Sequence, residues 1–411
     1  MIPLVLVLLL SPTAFARVIQ QYTNARAVTS AIACEIDPFS GASPTPLILR
    51  WNSFVYPTSS GETTLKFYEG ETIDFACPGG QLVLEGSSTN LIVATASCVS
   101  GSRFIVNNAS YLWQQIQCST NPSSSGRFTG NDCEAGGSEV EIGFEISSTR
   151  FASNMVLCFD RTTEVAIYSF YNLIPAIRQQ ISGTPRPSFT QGTGIFTLSN
   201  VNRLYTTATQ RVTINGLLGL PSDDYTYIQN NNNYFMARGH LTARSDFFYA
   251  AQQNSTFHFA NALPQWQTFN GCNWEQTESD VRDYASRNNA TLQIWTGGWG
   301  VTTLPHAITG EDTELYLYVN GDDRALPVPD FYWKVVYRPL SGSGVALIGV
   351  NNPYKDSSDI DRFCEDVSDS LTWLKWKKDD QSKGISWACT VTDFRRVVKN
   401  FPDLDINELL I

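Results

Sequence analysis

The chain has 411 residues, with 28 Lys and Arg against 39 Asp and Glu, and a formal net charge of −11. This length is enough for two domains. The acidic balance argues against a protein that stores or coats nucleic acid, because such proteins neutralise phosphates with a broadly basic surface.

The first 16 residues have the pattern of a secretory signal peptide. An apolar core at Leu4–Leu10 is followed by the small-x-small pattern Ala14-Phe15-Ala16. The apolar run is too short to span a bilayer, and no later run approaches about 18 consecutive apolar residues. We expect an exported protein without a membrane span, whose mature chain begins near Arg17.

Residues 17–138 predict a β-rich N-terminal module. Short apolar runs at 47–49, 64–68 and 90–94 are separated by turns rich in Gly, Ser and Pro, as in a small sandwich. The loop-like segment 121–137 is the predicted linker. Whether the module inhibits, targets or helps to fold the rest of the chain is left open.

Nine cysteines in an exported chain predict disulfides. Six of them precede residue 160, and their pairing is left open: Cys34, Cys77, Cys98, Cys118, Cys133 and Cys158. Cys364 and Cys389 are predicted to pair, which leaves Cys272 over. Three Asn-x-Ser/Thr acceptors predict glycosylation at Asn108, Asn254 and Asn289.

Strand-like runs open the second part of the chain at 139–146, 154–159 and 164–170. Arg186 follows in the rigid turn Gly183–Pro187. A further extended run at 234–240 carries Arg238 and His240, which then point to one face because strand side chains repeat every two residues. Gly239 between them permits close approach of another group.

A helix is predicted after this hairpin region. The run Thr256–Ala260 predicts the second strand, and the chain then turns through Pro264. Asn273 is the predicted helix N-cap, with Gln276 three residues later. Asn270 falls in the turn before the cap, while Glu278 and Arg282 lie four apart on one helix face. The predicted order is strand, strand, helix.

Three more strands are predicted at 291–299, 328–337 and 345–350. Residues 371–400 then contain seven Lys or Arg against three Asp, with Trp373, Trp376 and Trp387 among them. Either a nucleic-acid-facing patch or a solvated helical face with buried tryptophans would produce this pattern, and we favour the helical face.

The hairpin and helix residues suit phosphodiester hydrolysis. His240 is the candidate general base, with an unperturbed pKa of about 6.5. Mg²⁺ keeps several waters, so one amide oxygen from Asn270 is an acceptable protein ligand, with Glu278 holding the waters. Arg238 and Arg282 can contact phosphate. Taken singly, these residues also fit a structural histidine, a turn amide and an exposed Glu278–Arg282 ion pair.

This set of residues resembles the sugar-non-specific DNA/RNA endonucleases of the ββα-metal superfamily, and within it the secreted arthropod nucleases, including double-stranded-RNA-degrading enzymes. The positions that carry the resemblance are Arg238-Gly239-His240, Asn270, Glu278 and Arg282. One departure is Ala237, where the family usually has Asp. We interpret the family's Asp as a residue that supports the site and takes no part in the chemistry. Ala237 therefore affects the expected geometry of the site and not the expected activity. Arg186 resembles a further phosphate-binding arginine of the family, with an ordinary exposed turn arginine as the alternative.

The resemblance implies an α+β chain: a mixed α/β nuclease domain at 139–411 with a ββα-metal core, preceded by the disulfide-stapled module at 17–138. It also implies Mg²⁺-dependent hydrolysis, with Mn²⁺ as the alternative ion. DNA and RNA, including double-stranded RNA, would be cut without sequence preference to 5′-phosphate ends. Two alternatives remain: a catalytically silent nucleic-acid-binding protein on the same scaffold, and a metal-independent nuclease using His240 with His258. The oligomeric state is left open.

Overall fold

The computed structural model describes residues 31–411 of the chain. The predicted signal peptide, residues 1–16, lies outside the described residues. Within them the chain forms a β-rich N-terminal region and a larger mixed α/β region, so the predicted α+β class is confirmed.

The N-terminal region is built from short antiparallel strands. In chain order these are β1 (Ile32–Ile36), β2 (Leu47–Arg50), β3 (Ser53–Phe54), β4 (Leu65–Tyr68), β5 (Thr72–Ala76), β6 (Leu82–Leu84), β7 (Ser87–Ser88), β8 (Val93–Ser100), β9 (Arg103–Val106), β10 (Ala109–Leu112) and β11 (Ile116–Cys118). A six-stranded sheet has the order β10-β9-β8-β5-β2-β3, and β1-β4 and β11-β6-β7 form smaller sheets. Disulfides Cys34–Cys98 and Cys77–Cys118 join the smaller sheets to the large one. The predicted disulfide-stapled β module is thus confirmed.

The remaining strands belong to the mixed α/β region. They are β12 (Ser125–Asp132), β13 (Ser138–Ser147), β14 (Arg150–Asp160), β15 (Val165–Leu173), β16 (Met236–His240), β17 (Ala262–Trp266), β18 (Leu292–Trp299), β19 (Thr303–Pro305), β20 (Asp312–Glu314), β21 (Tyr316–Asn320), β22 (Asp323–Pro327), β23 (Phe331–Arg338), β24 (Ser343–Val350), β25 (Ser386–Cys389) and β26 (Glu408–Leu409). The α-helices are α1 (Val201–Leu204), α2 (Thr207–Leu218), α3 (Ala250–Ser255), α4 (Gln267–Phe269), α5 (Glu275–Arg287) and α6 (Val391–Val397).

A nine-stranded sheet organises this region. Its order is β12-β13-β14-β15-β18-β23-β24-β25, with β26 alongside β24. The predicted strands at 139–146, 154–159, 164–170, 291–299, 328–337 and 345–350 are all present in it. One apolar layer, including Tyr332 and Val336, packs on one face, and a second layer, including Trp333 and Val335, packs on the other. The β16–β17 hairpin and α5 belong to the first layer.

The segment 121–137, predicted as a linker, contains strand β12. This strand pairs with β13, and Cys133 beyond it is bonded to Cys158 in β14. A domain division at residue 138 stays a prediction. A disulfide also joins Cys364 and Cys389, the pair proposed from the sequence, and Cys272 is free.

The basic run does not form the helical face favoured from the sequence. Residues 371–385 are irregular, with one 3₁₀ turn at Gln381–Lys383, and helix α6 begins only at Val391. Trp387 is buried, whereas Trp373 and Trp376 are half-buried.

The two regions share a buried core. Leu49 and Phe54 of the N-terminal region cluster with Phe144, Phe248 and Tyr249 of the larger region. The Tyr249 hydroxyl donates to the backbone carbonyl of Val55. No helix within residues 31–411 is long and apolar enough to cross a membrane.

Candidate active site

The predicted hairpin is present, but its second strand lies later in the chain. β16 pairs with β17, which places Arg238 opposite Pro264 and His240 opposite Ala262. The prediction of a strand at 256–260 is wrong, because Thr256 caps helix α3, His258 forms only an isolated bridge with Thr190, and a 3₁₀ turn begins at Phe259. Pro264 is tolerated because β17 pairs with β16 alone. The Asn351 side chain donates to the Pro264 carbonyl at 3.0 Å and accepts from the Trp266 amide at 2.8 Å, which fixes the strand.

Arg238 and His240 lie on the same face, as the strand period predicts. The Phe189 ring is 5.0 Å from the His240 ring and 5.7 Å from the Arg238 guanidinium carbon. Phe257 contacts His240 from another side, with ring centroids 5.0 Å apart. Arg238 donates to the Asn202 side chain at 2.7 Å. The histidine therefore lies in an aromatic pocket with a guanidinium beside it.

The His240 imidazole is neutral and has an open nitrogen. Its Nε2 is buried and has no hydrogen-bond partner among residues 31–411. Burial first, and then the positive charges of Arg186 and Arg244, lower the pKa of His240 to about 3. The unperturbed value of about 6.5 therefore does not apply here. The imidazole is therefore neutral at physiological pH with its free nitrogen open, although a pKa this far below 7 makes it a weak base until a bound anion offsets the arginine charges.

Arg186 belongs to this neighbourhood, because its charge acts on both His240 and Arg244. It is exposed in its turn. Arg244 is a residue that sequence reasoning missed. It donates to the Thr184 backbone carbonyl at 2.7 Å and thereby holds the turn that carries Arg186. Positive charge thus surrounds His240.

The helix begins earlier than predicted. Asn273 is not an N-cap: α4 continues into a π-helical turn, Asn270–Trp274, and then into α5. The buried Asn273 side chain instead donates to the carbonyls of Lys377 at 2.9 Å and Gly384 at 2.7 Å. These partners lie about a hundred residues away, which local capping rules do not consider. π-turns within helices are frequent at functional sites.

Asn270 opens this π-turn and is half-buried. Its side-chain nitrogen donates to the Gln267 side chain at 3.3 Å. The carbonyl oxygen is consequently the end of the amide that remains available to a ligand. Within residues 31–411, no group of three or more His, Cys, Asp or Glu side chains is placed to hold a metal ion.

A buried cluster of charges lies beside Asn270 on the helix. Arg282 Nη1 is 2.6 Å from Asp246 Oδ1, and both side chains are buried. The Tyr171 hydroxyl also donates to Asp246. The alternative of an exposed Glu278–Arg282 ion pair is therefore wrong. Arg282 is anchored by Asp246, a residue that sequence reasoning missed.

Glu278 and Lys334 complete this cluster. Burial raises the pKa of Glu278 to about 7, an effect that the charges of Lys334 and Arg282 oppose and that of Asp246 reinforces. Lys334 is buried in β23 and donates to Thr296 at 2.6 Å. Sequence reasoning missed Lys334 too, although a single lysine inside the apolar run 331–337 was a signal for it.

The other predicted positions lie away from His240. His258 Nε2 is 3.1 Å from Ser124 Oγ, and burial lowers the pKa of His258 to about 4. No contact between His258 and His240 occurs within residues 31–411. Asn108 and Asn289 are exposed, whereas Asn254 is half-buried in a cavity of about 340 Å³. Their glycosylation stays a prediction.

The β16–β17 hairpin carries His240, and the helical segment that follows it carries Asn270. Residues 136–396 match the family model described as DNA/RNA non-specific endonuclease. The chain belongs to this family and is an endonuclease, a phosphodiester hydrolase.

Relatives include proteins whose names describe them as salivary. A "Salivary endonuclease" of Lutzomyia longipalpis is 27% identical over 333 residues, which cover 79% of this chain and 72% of the relative. "Salivary protein Tsal1" of Glossina morsitans morsitans is 24% identical over 85% of both chains. A "Salivary endonuclease" of Culex quinquefasciatus is 24% identical over 68% of this chain and 63% of the relative. Among solved structures, the EndoG/EndoGI complex matches 49% of this chain at 20% identity with a TM-score of 0.30.

Proposed function

We propose that this endonuclease is secreted and Mg²⁺-dependent, and that it hydrolyses DNA and RNA, including double-stranded RNA, without sequence preference. The products would carry 5′-phosphate ends. The observation that carries the proposal is the neutral His240 imidazole, whose buried Nε2 has no partner within residues 31–411.

His240 acts as the general base in this proposal. A water molecule between Nε2 and the phosphorus loses its proton to Nε2 as its oxygen attacks, and the 3′-oxygen leaves. Arg238 lies beside the histidine pocket and Arg186 is close enough for its charge to act on His240, and both contact the non-bridging phosphate oxygens. The charges of Arg186 and Arg244 lower the pKa of His240, and phosphate bound beside them offsets that effect and makes Nε2 a stronger base.

Asn270 and Glu278 fit an ion that retains most of its waters. The Asn270 carbonyl oxygen would bind it, and Glu278 would accept hydrogen bonds from its waters. Mg²⁺ favours such water-rich sites, with Mn²⁺ as the alternative. When bound, the ion supplies positive charge to the phosphoryl oxygens and the leaving 3′-oxygen. Arg282 contacts phosphate only through the part of its guanidinium that Asp246 leaves free.

The proposed substrate range follows from what these groups can recognise. The base, the ion and the arginines all act on the phosphate group and none contacts a base edge. Phosphate contacts carry no direct sequence information. Water is the nucleophile, so a 2′-hydroxyl is neither required nor excluded. The double-stranded-RNA activity rests on the resemblance to arthropod secreted nucleases, and secretion is supported by the signal-like N-terminus and the salivary relatives.

The test uses one sequence prepared as duplex DNA, single-stranded RNA and double-stranded RNA. Initial rates are measured with Mg²⁺, with EDTA, and with EDTA followed by excess Mg²⁺, and the product ends are identified. We expect cleavage of all three, loss with EDTA, recovery with Mg²⁺ and 5′-phosphate ends. Binding without cleavage would support the catalytically silent alternative. Cyclic-phosphate ends would contradict the water mechanism, and DNA cleavage with intact double-stranded RNA would remove that substrate alone.

A further inference from the structure

A groove of about 440 Å³ lies beside the start of α5. One wall is formed by the helix side chains Cys272 and Glu275, and the other by Lys375, Lys377 and Lys383 of the irregular segment 371–385. We call it the lysine groove. It contains the first part of the basic run whose role the sequence left open.

The groove is pre-formed by hydrogen bonds between its two walls. The Asn273 side chain donates to the carbonyls of Lys377 and Gly384 and accepts from the Lys377 amide at 3.0 Å. The Lys375 amide donates to Asp280 at 2.6 Å. A segment without regular secondary structure is thus fixed against the helix, which lowers the entropy cost of ordering its lysines on binding.

The lysines differ in how far they are neutralised. Lys375 pairs with Asp283 at 2.9 Å, and Lys383 lies 3.6 Å from Asp380. Lys377 is exposed and has no ion-pair partner within residues 31–411. Glu275 is the one acidic side chain among the groove-lining residues. Lys377 therefore supplies the unneutralised positive charge of the groove, in a chain whose formal net charge is −11.

The groove adjoins the candidate active site along the helix. Asn270 and Glu278 lie on one face of this helix. On the adjacent face, which lines the groove, Gly271 is next to Asn270 and Glu275 is three residues before Glu278. Side chains three apart on a helix have Cβ atoms about 5–6 Å from each other. A polyanion held by the ion proposed at Asn270 therefore needs to extend past the start of α5 to reach the lysines.

We propose that the lysine groove is a second phosphate-binding site, which holds the substrate backbone a few nucleotides from the scissile bond. This inference rests on the proposed function of the neighbouring site. A nucleic acid strand suits the groove because its row of phosphates can run from the catalytic position to the lysines. Affinity from the groove then depends on substrate length and on salt.

The test compares Lys377→Ala/Lys383→Ala with wild type on long duplexes and on short oligonucleotides. On long duplexes at low salt we expect KM to rise about tenfold with kcat retained. The slope of log(kcat/KM) against log[salt] should become shallower by about two, since each lost lysine–phosphate contact removes about one unit. On the shortest cleavable oligonucleotides the variant should match wild type. Lys66→Ala, which removes an exposed lysine of the N-terminal region that pairs with Glu62 as Lys383 pairs with Asp380, is the control and should change neither quantity.

A binding measurement separates this inference from the proposed function. The Kd of His240→Ala for a long duplex is compared with that of the same variant carrying Lys377→Ala/Lys383→Ala. A weaker, less salt-dependent Kd supports the groove even if the wild-type chain cleaves nothing. Equal Kd values and equal salt slopes would overturn it even if cleavage is confirmed. Labelling Cys272 with a bulky neutral maleimide should also raise KM on long duplexes, with wild type treated with quenched reagent as the control; an unchanged KM in the labelled enzyme would likewise contradict the groove.

Discussion

The N-terminal region and the catalytic layer differ in how completely their buried polar atoms are paired. Within residues 31–118, each buried side-chain nitrogen or oxygen has a hydrogen-bond partner, and two disulfides cross-link the sheets. The unpartnered buried atoms of residues 31–411 lie between Ser169 and Arg338, and include Arg238 Nε, His240 Nε2 and Arg282 Nε. Buried polar groups are normally satisfied, so unpaired ones need an explanation. One region is built for stability, and the other leaves groups available for a ligand.

The largest expected effect is that of His240→Ala. Loss of the general base should reduce turnover by about 10²- to 10⁴-fold. The fold should survive, because Nε2 has no hydrogen bond to lose within residues 31–411 and the unfolding free energy falls only by the lost packing of the ring against Phe189 and Phe257. Turnover on duplex DNA and the midpoint of thermal unfolding are measured together. A purified variant with near-wild-type turnover would remove the proposed mechanism.

Asn270→Ala comes next. Charge stabilisation by a bound ion is worth several kcal/mol, so turnover should fall by about 10²- to 10³-fold. Because the defect is in ion binding, raising Mg²⁺ should recover part of the activity. The same titration should recover nothing in His240→Ala, which serves as the matched control. Equal responses of the two variants to Mg²⁺ would contradict the separate roles.

In the N-terminal region we expect a substitution to lower stability and to leave turnover unchanged. Replacing both cysteines of the Cys34–Cys98 pair, which closes a 64-residue separation, should cost about 4 kcal/mol of unfolding free energy. Turnover of the folded fraction should stay unchanged. Denaturant unfolding and kcat are measured on the same preparation, with Cys272→Ser as a control that removes a free thiol. A large loss of kcat in the folded double variant would mean that the region takes part in catalysis.

The smallest effect concerns pH. Burial raises the pKa of Glu278 to about 7, and the proposed role needs the ionised form, so activity should fall as pH drops through about 7. His240, with a pKa of about 3, stays neutral over this range. The Lys334 charge lowers the pKa of Glu278, so Lys334→Met should move the acid limb of kcat/KM to higher pH. Lys334→Arg should restore it, and an unmoved limb in Lys334→Met would exclude this coupling.

The sequence was sufficient where the pattern is local. Alternation and apolar runs located the strands of the nine-stranded sheet, and the spacing of Arg238 and His240 placed both on one face. Sequence reasoning failed where the structure of a residue depends on contacts with distant parts of the chain. The local sequence predicts Asn273 as a helix N-cap, but in the fold its side chain bonds the distant carbonyls of Lys377 and Gly384. Pro264 argues locally against a strand, yet it lies in one that Asn351 holds in place.

The charge cluster shows the same limit. The ion pair of Arg282 with Asp246 spans 36 residues, and Lys334 reaches this cluster from another strand. A helix-surface rule could offer Arg282 only its neighbour Glu278. The pKa of His240 was also inaccessible, because burial and the charges of Arg186 and Arg244 exist only in the folded chain.

Strand β12 has a consequence for where the catalytic region can be cut from the rest. A fragment that starts at Glu139 would lack β12, leaving the backbone N–H and C=O groups of β13 along its outer side unpaired. It would also leave Cys158 with a free thiol and uncover Phe144, Phe248 and Tyr249. An unprotected edge beside an apolar surface promotes pairing between chains. Such a fragment should therefore aggregate, whereas one that keeps the upstream region retains the pairing of β13 with β12 and its cover over the apolar surface.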